Sequence, residues 1–292
     1  MGDAMLDKHP CMCIGEGVFE ITEFGGVSLF LIEGSEKALL IDTGVGIGNL
    51  ALWVGSLTNK PVDVLLTHNH RDHVGGAPRF SRVHMSRADH GMGSIIRPWT
   101  SRESRLAFAK RNCVDHSFGF FWSEDDIVSF EKEPEIVEIE DGWTIDLGNR
   151  KVSCWLCPGH TPGSVVAIDE KTGILFCGDA CNGVLGISVR DIPGVRRVSI
   201  EEARDALARI DSMKFNHQKI FNGHTDCRPF GQPLPSTILP SLLDGLTKIM
   251  EGNYVLRKEW IPNLGISTET AVFGDVSIQF RENCIFSKGE RK

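Results

Sequence analysis

Six consecutive residues, His68-Asn69-His70-Arg71-Asp72-His73, hold four side chains able to ligate a metal ion. They follow the apolar run 64–67, so they stand at the end of a strand whose side chains are buried. If the strand geometry persists, the imidazoles at 68 and 70 share a direction. Asp72 and His73 then fall on the turn, where Gly75 and Gly76 let the backbone bend tightly. A polar group buried there without a partner costs several kcal/mol of desolvation. A divalent ion supplies that partner, and His with Asp is a ligand set it accepts.

Three later segments repeat one pattern, a strand followed by Gly and a ligand-type residue. They are Pro158-Gly159-His160-Thr161, Cys177-Gly178-Asp179-Ala180 and Asn222-Gly223-His224-Thr225. Each alone is an ordinary loop. Together, downstream of the first cluster, they describe strand ends converging on one site. With Asp42 at an earlier strand end, this pattern resembles the metallo-β-lactamase superfamily over about residues 18–227.

That resemblance implies an α+β fold, an αββα sandwich of two mixed sheets packed face to face with helices on the outer faces. It implies His68, His70 and His160 as ligands of one metal and Asp72, His73 and His224 as ligands of a second. Asp179 would be the bridging carboxylate, and Asp42 would orient ligands by hydrogen bonds. Two divalent ions are the implied cofactors, zinc first, with iron or manganese as alternatives. Such ions acidify bound water towards a pKa of about 7 and polarise a carbonyl or phosphoryl oxygen. A metal-bridging hydroxide is then the expected nucleophile and Asp72 the expected catalytic proton acceptor, with no serine or cysteine needed.

The carboxylate at 179 aligns the chain with the glyoxalase II and lactonase branches rather than with true β-lactamases. The expected activity is hydrolysis of a small ester, thioester or lactone. The alternatives are a mononuclear-iron persulfide dioxygenase, or a β-lactamase or phosphodiesterase of the same fold. Tyr254, the one tyrosine, matches no family motif, which weighs against a lactonase that uses a tyrosine beside its metals.

The elements that must position these residues are short. Runs 18–23, 27–32, 38–41 and 62–67 read as strands, and 136–139, 143–147 and 152–157 as a second series. Residues 164–169 and 174–177 flank Glu170-Lys171-Thr172-Gly173 as a hairpin. Ile47, Leu50, Ala51, Val54 and Leu57 fall at helical spacing. Thr100 with Glu103, and Ser199 with Glu202, resemble capping boxes. The whole chain, 1–292, is expected to be one domain carrying two additions. Residues 86–134 read as an insertion at the metal-bearing edge, whose aromatics Trp99, Phe108, Phe118, Phe120, Phe121 and Trp122 either close as a hydrophobic lid or pack a small satellite core or dimer contact; as a lid, Phe118, Phe120, Phe121 and Trp122 are expected to touch substrate. Residues 229–292 read as a C-terminal helix and hairpin, either covering a sheet edge or forming a homodimer interface.

Composition excludes other classes. Thirty-one basic against 39 acidic residues give a net charge of −8, which opposes binding to nucleic acid or acidic membranes. The metal edge itself would be locally positive and receptive to a small anionic substrate. No apolar stretch reaches membrane-spanning length. Residues 1–13 lack the apolar core of a secretory signal, and nine cysteines without one suit a reducing compartment, so the expected location is the cytoplasm. Cys154 and Cys157 have redox-motif spacing but fall on a strand, where they face opposite sides and do not pair. Cys11 and Cys13 are expected on a mobile arm. His9, His84, His90, His116 and His217 are expected to be ordinary.

Overall fold

The computed structural model describes residues 8–189, 192–213, 219–261 and 266–287. His217 lies outside them. The first sheet holds β1 (Cys11–Gly15), β2 (Val18–Thr22), β3 (Ser28–Glu33), β4 (Ala38–Ile41), β5 (Val62–Leu65), β6 (Arg82–Ser86) and β7 (Glu135–Ile139), in that spatial order. Its first four strands are antiparallel neighbours and its last four parallel. The second holds β8 (Thr144–Asp146), β9 (Lys151–Leu156), β10 (Val165–Asp169) and β11 (Ile174–Phe176), which form an antiparallel meander. A third sheet begins with β12 (Val184–Gly186). Strand β13 (Lys219–Phe221) closes the second sheet, parallel to β11. The helices are α1 (Leu50–Leu57), α2 (Arg71–Val74), α3 (Arg87–His90), α4 (Arg102–Asn112), α5 (Ile200–Ser212) and α6 (Ile238–Met250).

The period of two along each strand builds the sandwich. On β3 and β4, Phe30, Ile32, Leu39 and Ile41 face the second sheet, where they meet Val152, Cys154, Val165, Ala167, Phe176 and Phe221. The alternate residues Leu29, Leu31, Ala38 and Leu40 face outward onto α1 and α4 through Leu50, Val54, Phe108 and Ala109. On β10, Val166 and Ile168 turn the other way, onto Ala203, Leu207 and Ile210 of α5 and Leu239, Leu242 and Leu246 of α6. The αββα sandwich of the α+β class is therefore present.

Several local expectations are corrected. Cys11 and Cys13 belong to β1, paired with Ile21 and Phe19, and are not a mobile arm. Helix α4 is capped by Ser101, whose hydroxyl accepts the Ser104 amide at 3.3 Å, and not by Thr100. Thr100 closes the preceding 3-10 turn Pro98–Thr100, accepting the Arg97 amide at 2.9 Å. The Ser199–Glu202 capping box is present on α5. The C-terminal hairpin is part of a larger unit: β14 (Leu256–Ile261), β15 (Ile266–Phe273) and β16 (Val276–Phe280) form an antiparallel meander, and β12 joins its edge parallel to β16. Strands of three residues such as β12 carry too little period to be read from sequence.

All nine cysteines are free thiols, and Cys154 and Cys157 are both buried. No helix among the described residues is long and apolar enough to cross a membrane.

Arg150, before β9, links the sheets. Its guanidinium donates to both carboxylate oxygens of Asp169 on β10, at 2.8 and 2.6 Å, and to the Glu33 carbonyl on β3 at 2.9 Å. Both side chains are almost wholly inaccessible. Removing one partner strands the other charge in the interior, so Arg150→Ala should cost about 3–5 kcal/mol. Thermal or urea unfolding checks this; a change below about 1 kcal/mol would show the pair to be solvated, as exposed pairs are.

Candidate metal centre

The ligand-type residues are brought to one edge by four strand ends. Asp42 follows β4 and sits in a left-handed conformation, φ +62°, which a non-glycine residue adopts only under local constraint. Its carboxylate accepts the Thr67 amide and hydroxyl, both at 2.7 Å, and faces His73 Nδ1 at 2.8 Å. The loop after Asp42 lies against α2. A Cβ on Gly75 would stand 2.2 Å from the Val45 carbonyl oxygen, and one on Gly76 2.4 Å from that of Thr43. Gly75 itself has φ −61°, so close approach requires glycine there, and not the free dihedral expected from the sequence.

Three overlapping groups share the space, each with ligand atoms within 4.8 Å of one another: His68, His70 and His160; His68, His73 and Asp179; and Asp72, His73 and His224. Asp179 lies at the centre. Its Oδ2 is 3.3 Å from His224 Nε2, 3.5 Å from His160 Nε2 and 3.9 Å from His68 Nε2, while Oδ1 is 3.6 Å from His73 Nε2. Asp72 Oδ2 is 3.8 Å from His224 Nε2. His70 Nδ1 faces His160 Nε2 at 2.8 Å.

The opposite ring nitrogens are held from behind. His160 Nδ1–H donates to the Gly186 carbonyl at 2.9 Å, and His224 Nδ1–H to that of Gly26 at 2.7 Å. His73 has Asp42, and His68 Nδ1 lies 3.1 Å from the Thr67 hydroxyl. These contacts leave Nε2 of all four rings directed inward. His68 Nε2, His73 Nε2 and Asp179 Oδ1 are buried and have no hydrogen-bond partner among the described residues. Buried polar atoms are ordinarily paired. Nitrogen and carboxylate oxygen lone pairs converging on one volume therefore fit a divalent cation.

Electrostatics give the same account. Burial, then the neighbouring His73 and His70, hold His68 well below its ordinary value. Burial also opposes charge on His73, but Asp179 and Asp42 outweigh it and raise that imidazole well above the usual range. The same balance, dominated by Asp179, lifts His224 to about 9. Burial opposes charge on Asp179 as well, yet His224 and His73 hold its carboxyl far down. Without a cation, protons on His73 and His224 neutralise the carboxylates.

Two buried carboxylates outside the ligand set, which the sequence reading missed, tie the ligand loops together. Asp89 in α3 accepts the Asn69 amide and the Gly163 amide, each at 2.7 Å, and the Thr161 hydroxyl at 2.9 Å. It thus joins the His68–His70 segment to the loop bearing His160. Burial pushes its carboxyl up to about 6. Glu23, after β2, accepts the amides of Val45, Gly46 and Ile47, the last two at 3.1 and 2.9 Å. Burial pushes Glu23 up to about 7. Neither sits in a motif; an acidic residue flanking an apolar run was the one available signal.

The cluster opens into a cavity of about 490 Å³, within the range of small-molecule sites. His70, Asp72, His160, Asp179 and His224 form its floor, with Trp99, Phe108, Arg71 and Arg111 on its walls. The aromatic run expected to meet substrate is not among the lining residues. Phe118 and Phe121 are exposed, and Phe120 and Trp122 pack against the outer core of the first sheet. Trp122 spends its indole N–H on the Cys113 carbonyl at 2.7 Å. The insertion reaches the cavity through Trp99 and Phe108, the two other aromatics of the expected lid. Trp99 stands edge-on to His70, with ring centroids 5.2 Å apart.

Fold and site together define a metal-dependent hydrolase. The profile described as the metallo-beta-lactamase superfamily matches residues 22–214, and the chain belongs to that family. It is 30% identical over 196 residues to a Bos taurus protein named acyl-coenzyme A thioesterase MBLAC2, covering 60% of this chain and 67% of that one. It is 22% identical over 191 residues to the probable polyketide biosynthesis zinc-dependent hydrolase PksB of Bacillus subtilis (strain 168), covering 65% and 68%. A metallo-beta-lactamase from Pontibacter korlensis superposes with TM-score 0.55 at 18% identity, over 82% of this chain and 99% of that one, a likeness of fold.

Two outcomes follow. His73 and His224 hold protons near neutrality that a metal must displace, so metal affinity should rise as pH climbs from about 6.5 to about 9, with proton release on binding. Calorimetry in buffers of different ionisation enthalpy measures this; pH-independent affinity would contradict the electrostatic account. Asp89→Ala leaves two buried amides and a hydroxyl unpaired, so it should destabilise the fold by about 3 kcal/mol or more and weaken metal binding. An unchanged melting temperature and metal content would remove Asp89 from this role.

Proposed function

We propose that the chain is a zinc-dependent thioester hydrolase whose substrates resemble acyl-coenzyme A. The observation that carries this reading is a cavity opening directly onto the His/Asp cluster, with no activated serine or cysteine on its described walls. Thr161 Oγ1 is engaged by Asp89 and Ser164, and Ser188 Oγ accepts the Val198 amide at 2.8 Å. No cysteine is among the described lining residues. Water is therefore the nucleophile. The thioester specificity rests on the bovine relative's name, and the choice of zinc on that of the bacterial relative.

His68, His70 and His160 would hold one ion and Asp72, His73 and His224 a second, with Asp179 between them; the three overlapping groups support a pair of ions. Bound there, the ions would acidify water and polarise the thioester carbonyl. The chain's own residues do the remaining work. Asp42 and the Gly26 and Gly186 carbonyls keep the imidazoles aimed at the floor of the cavity. Asp72, lining that floor, takes the proton from the attacking water and returns it to the departing thiolate sulfur. Trp99 and Phe108 bound the cavity with apolar surface and exclude bulk water from the reacting carbonyl.

Zinc-loaded protein should release free thiol from a medium-chain acyl-coenzyme A. His160→Ala should lower kcat/KM at least about a thousandfold with loss of bound metal. Turnover of a lactone, a β-lactam or a phosphodiester, with thioesters left intact, would overturn the reading.

A further inference from the structure

Helix α4 turns one face to the cavity. Ser104, Phe108 and Arg111 follow one another at helical spacings of four and three. Arg71, the first residue of α2, lies across them. It donates to Ser104 Oγ at 2.9 Å, and its guanidinium carbon stands 5.4 Å above the Phe108 ring. Burial lowers Arg71 from its ordinary range; Asp72 draws it back, and the like charge of Arg111 lowers it further. Arg71 and Arg111 both line the cavity.

The other charges at the cavity are committed elsewhere or exposed. Asp72 and Asp179 belong to the histidine cluster. Arg196 is paired with Glu202 at 2.8 Å, and Arg197 lies against Asn283 and Cys284. Asp226 is exposed on the rim. Arg111 is exposed, lines the cavity and has neither a hydrogen-bond nor an ion-pair partner among the described residues. A guanidinium on the cavity lining with no partner of its own is open to an anion.

We propose that Arg111, backed by Arg71, is an anion subsite that takes a phosphate group on the thiol side of the substrate. The assignment rests on the thioester reading for the identity of the carrier. The acyl thioester occupies the floor by the histidines, and the carrier runs outward along α4 to the mouth, where Arg111 stands. A nucleotide carrier is too large for the cavity itself and needs its recognition at that rim. Arginine suits the task because its planar fork meets phosphate oxygens in pairs.

The test is equilibrium binding of coenzyme A and of pantetheine to the metal-loaded protein by calorimetry. Both ligands present the same thiol to the floor, so their affinity ratio reports the 3′-phosphoadenosine diphosphate portion, and its change on altering the charge at Arg111 reports the phosphates. The native protein should prefer coenzyme A by about tenfold or more, as expected of charge-assisted hydrogen bonds. Arg111→Glu should collapse that ratio, Arg111→Lys should keep most of it, and raised salt should reduce it. Arg111→Gln serves if charge reversal unfolds the chain. Equal affinities in the native protein, or an unchanged ratio in Arg111→Glu and Arg111→Gln, would overturn the subsite. The thioester reading fails separately: if the ratio behaves as expected and acyl-coenzyme A is not cleaved, the subsite stands and that reading falls.

Discussion

Buried lone pairs that face one another and have no donor between them impose the central constraint on this molecule. His68 Nε2, His73 Nε2 and Asp179 Oδ1 lie out of reach of water and of every hydrogen-bonding group described. Such an arrangement is tolerable only if a cation fills the volume, or if protons do so in its place. Four strand ends deliver the groups, and rear contacts from Asp42, Gly26 and Gly186 hold the rings against turning away. The elevated affinity of His73 and His224 for protons is the same constraint seen without metal.

The price of presenting ligands on loops is that loops move, and here two buried carboxylates restrain them. Asp89 closes the first triad by joining Asn69 to Thr161 and Gly163. Glu23 acts on the other side. Its carboxylate holds the Val45–Ile47 backbone just beyond Asp42, and its carbonyl accepts the Gly26 amide at 3.1 Å, next to the oxygen that orients His224. Each carboxylate is surrounded by amide N–H groups, whose donation stabilises charge that burial alone would suppress. Both keep raised proton affinities, because burial outweighs that donation.

Chemistry and selectivity are built on different parts of the chain. The floor comes from turns that follow β5, β9, β11 and β13. The walls come from the insertion, through Trp99, Phe108 and Arg111, and from the segment after β12. A floor of fixed composition under walls of independent origin lets one reaction centre serve substrates of different shape. The charge of the whole chain, −8, says little about this edge, since Arg71 and Arg111 bring positive charge to the cavity wall.

By itself the sequence pointed to the fold class through the resemblance its ligand-type residues carry, and the unbroken apolar runs 27–32 and 38–41 already called for sheets covered on both faces. It also determined which residues are candidates for the centre, because six residues holding four ligand groups are hard to reconcile with an ordinary loop. What only the tertiary structure decided are relations between distant segments. The grouping of ligands around Asp179, the clamping by Asp89 and Glu23, and the placing of Arg71 and Arg111 on one cavity each depend on distances across the fold that no local spacing encodes. The aromatics of the insertion show the limit most clearly. Composition marks all six alike as a substrate surface, yet Phe120 and Trp122 are used in packing and Phe118 and Phe121 face solvent, while only Trp99 and Phe108 line the cavity. Apolar side chains are interchangeable in composition; which of them meets a ligand is set by where the backbone delivers it.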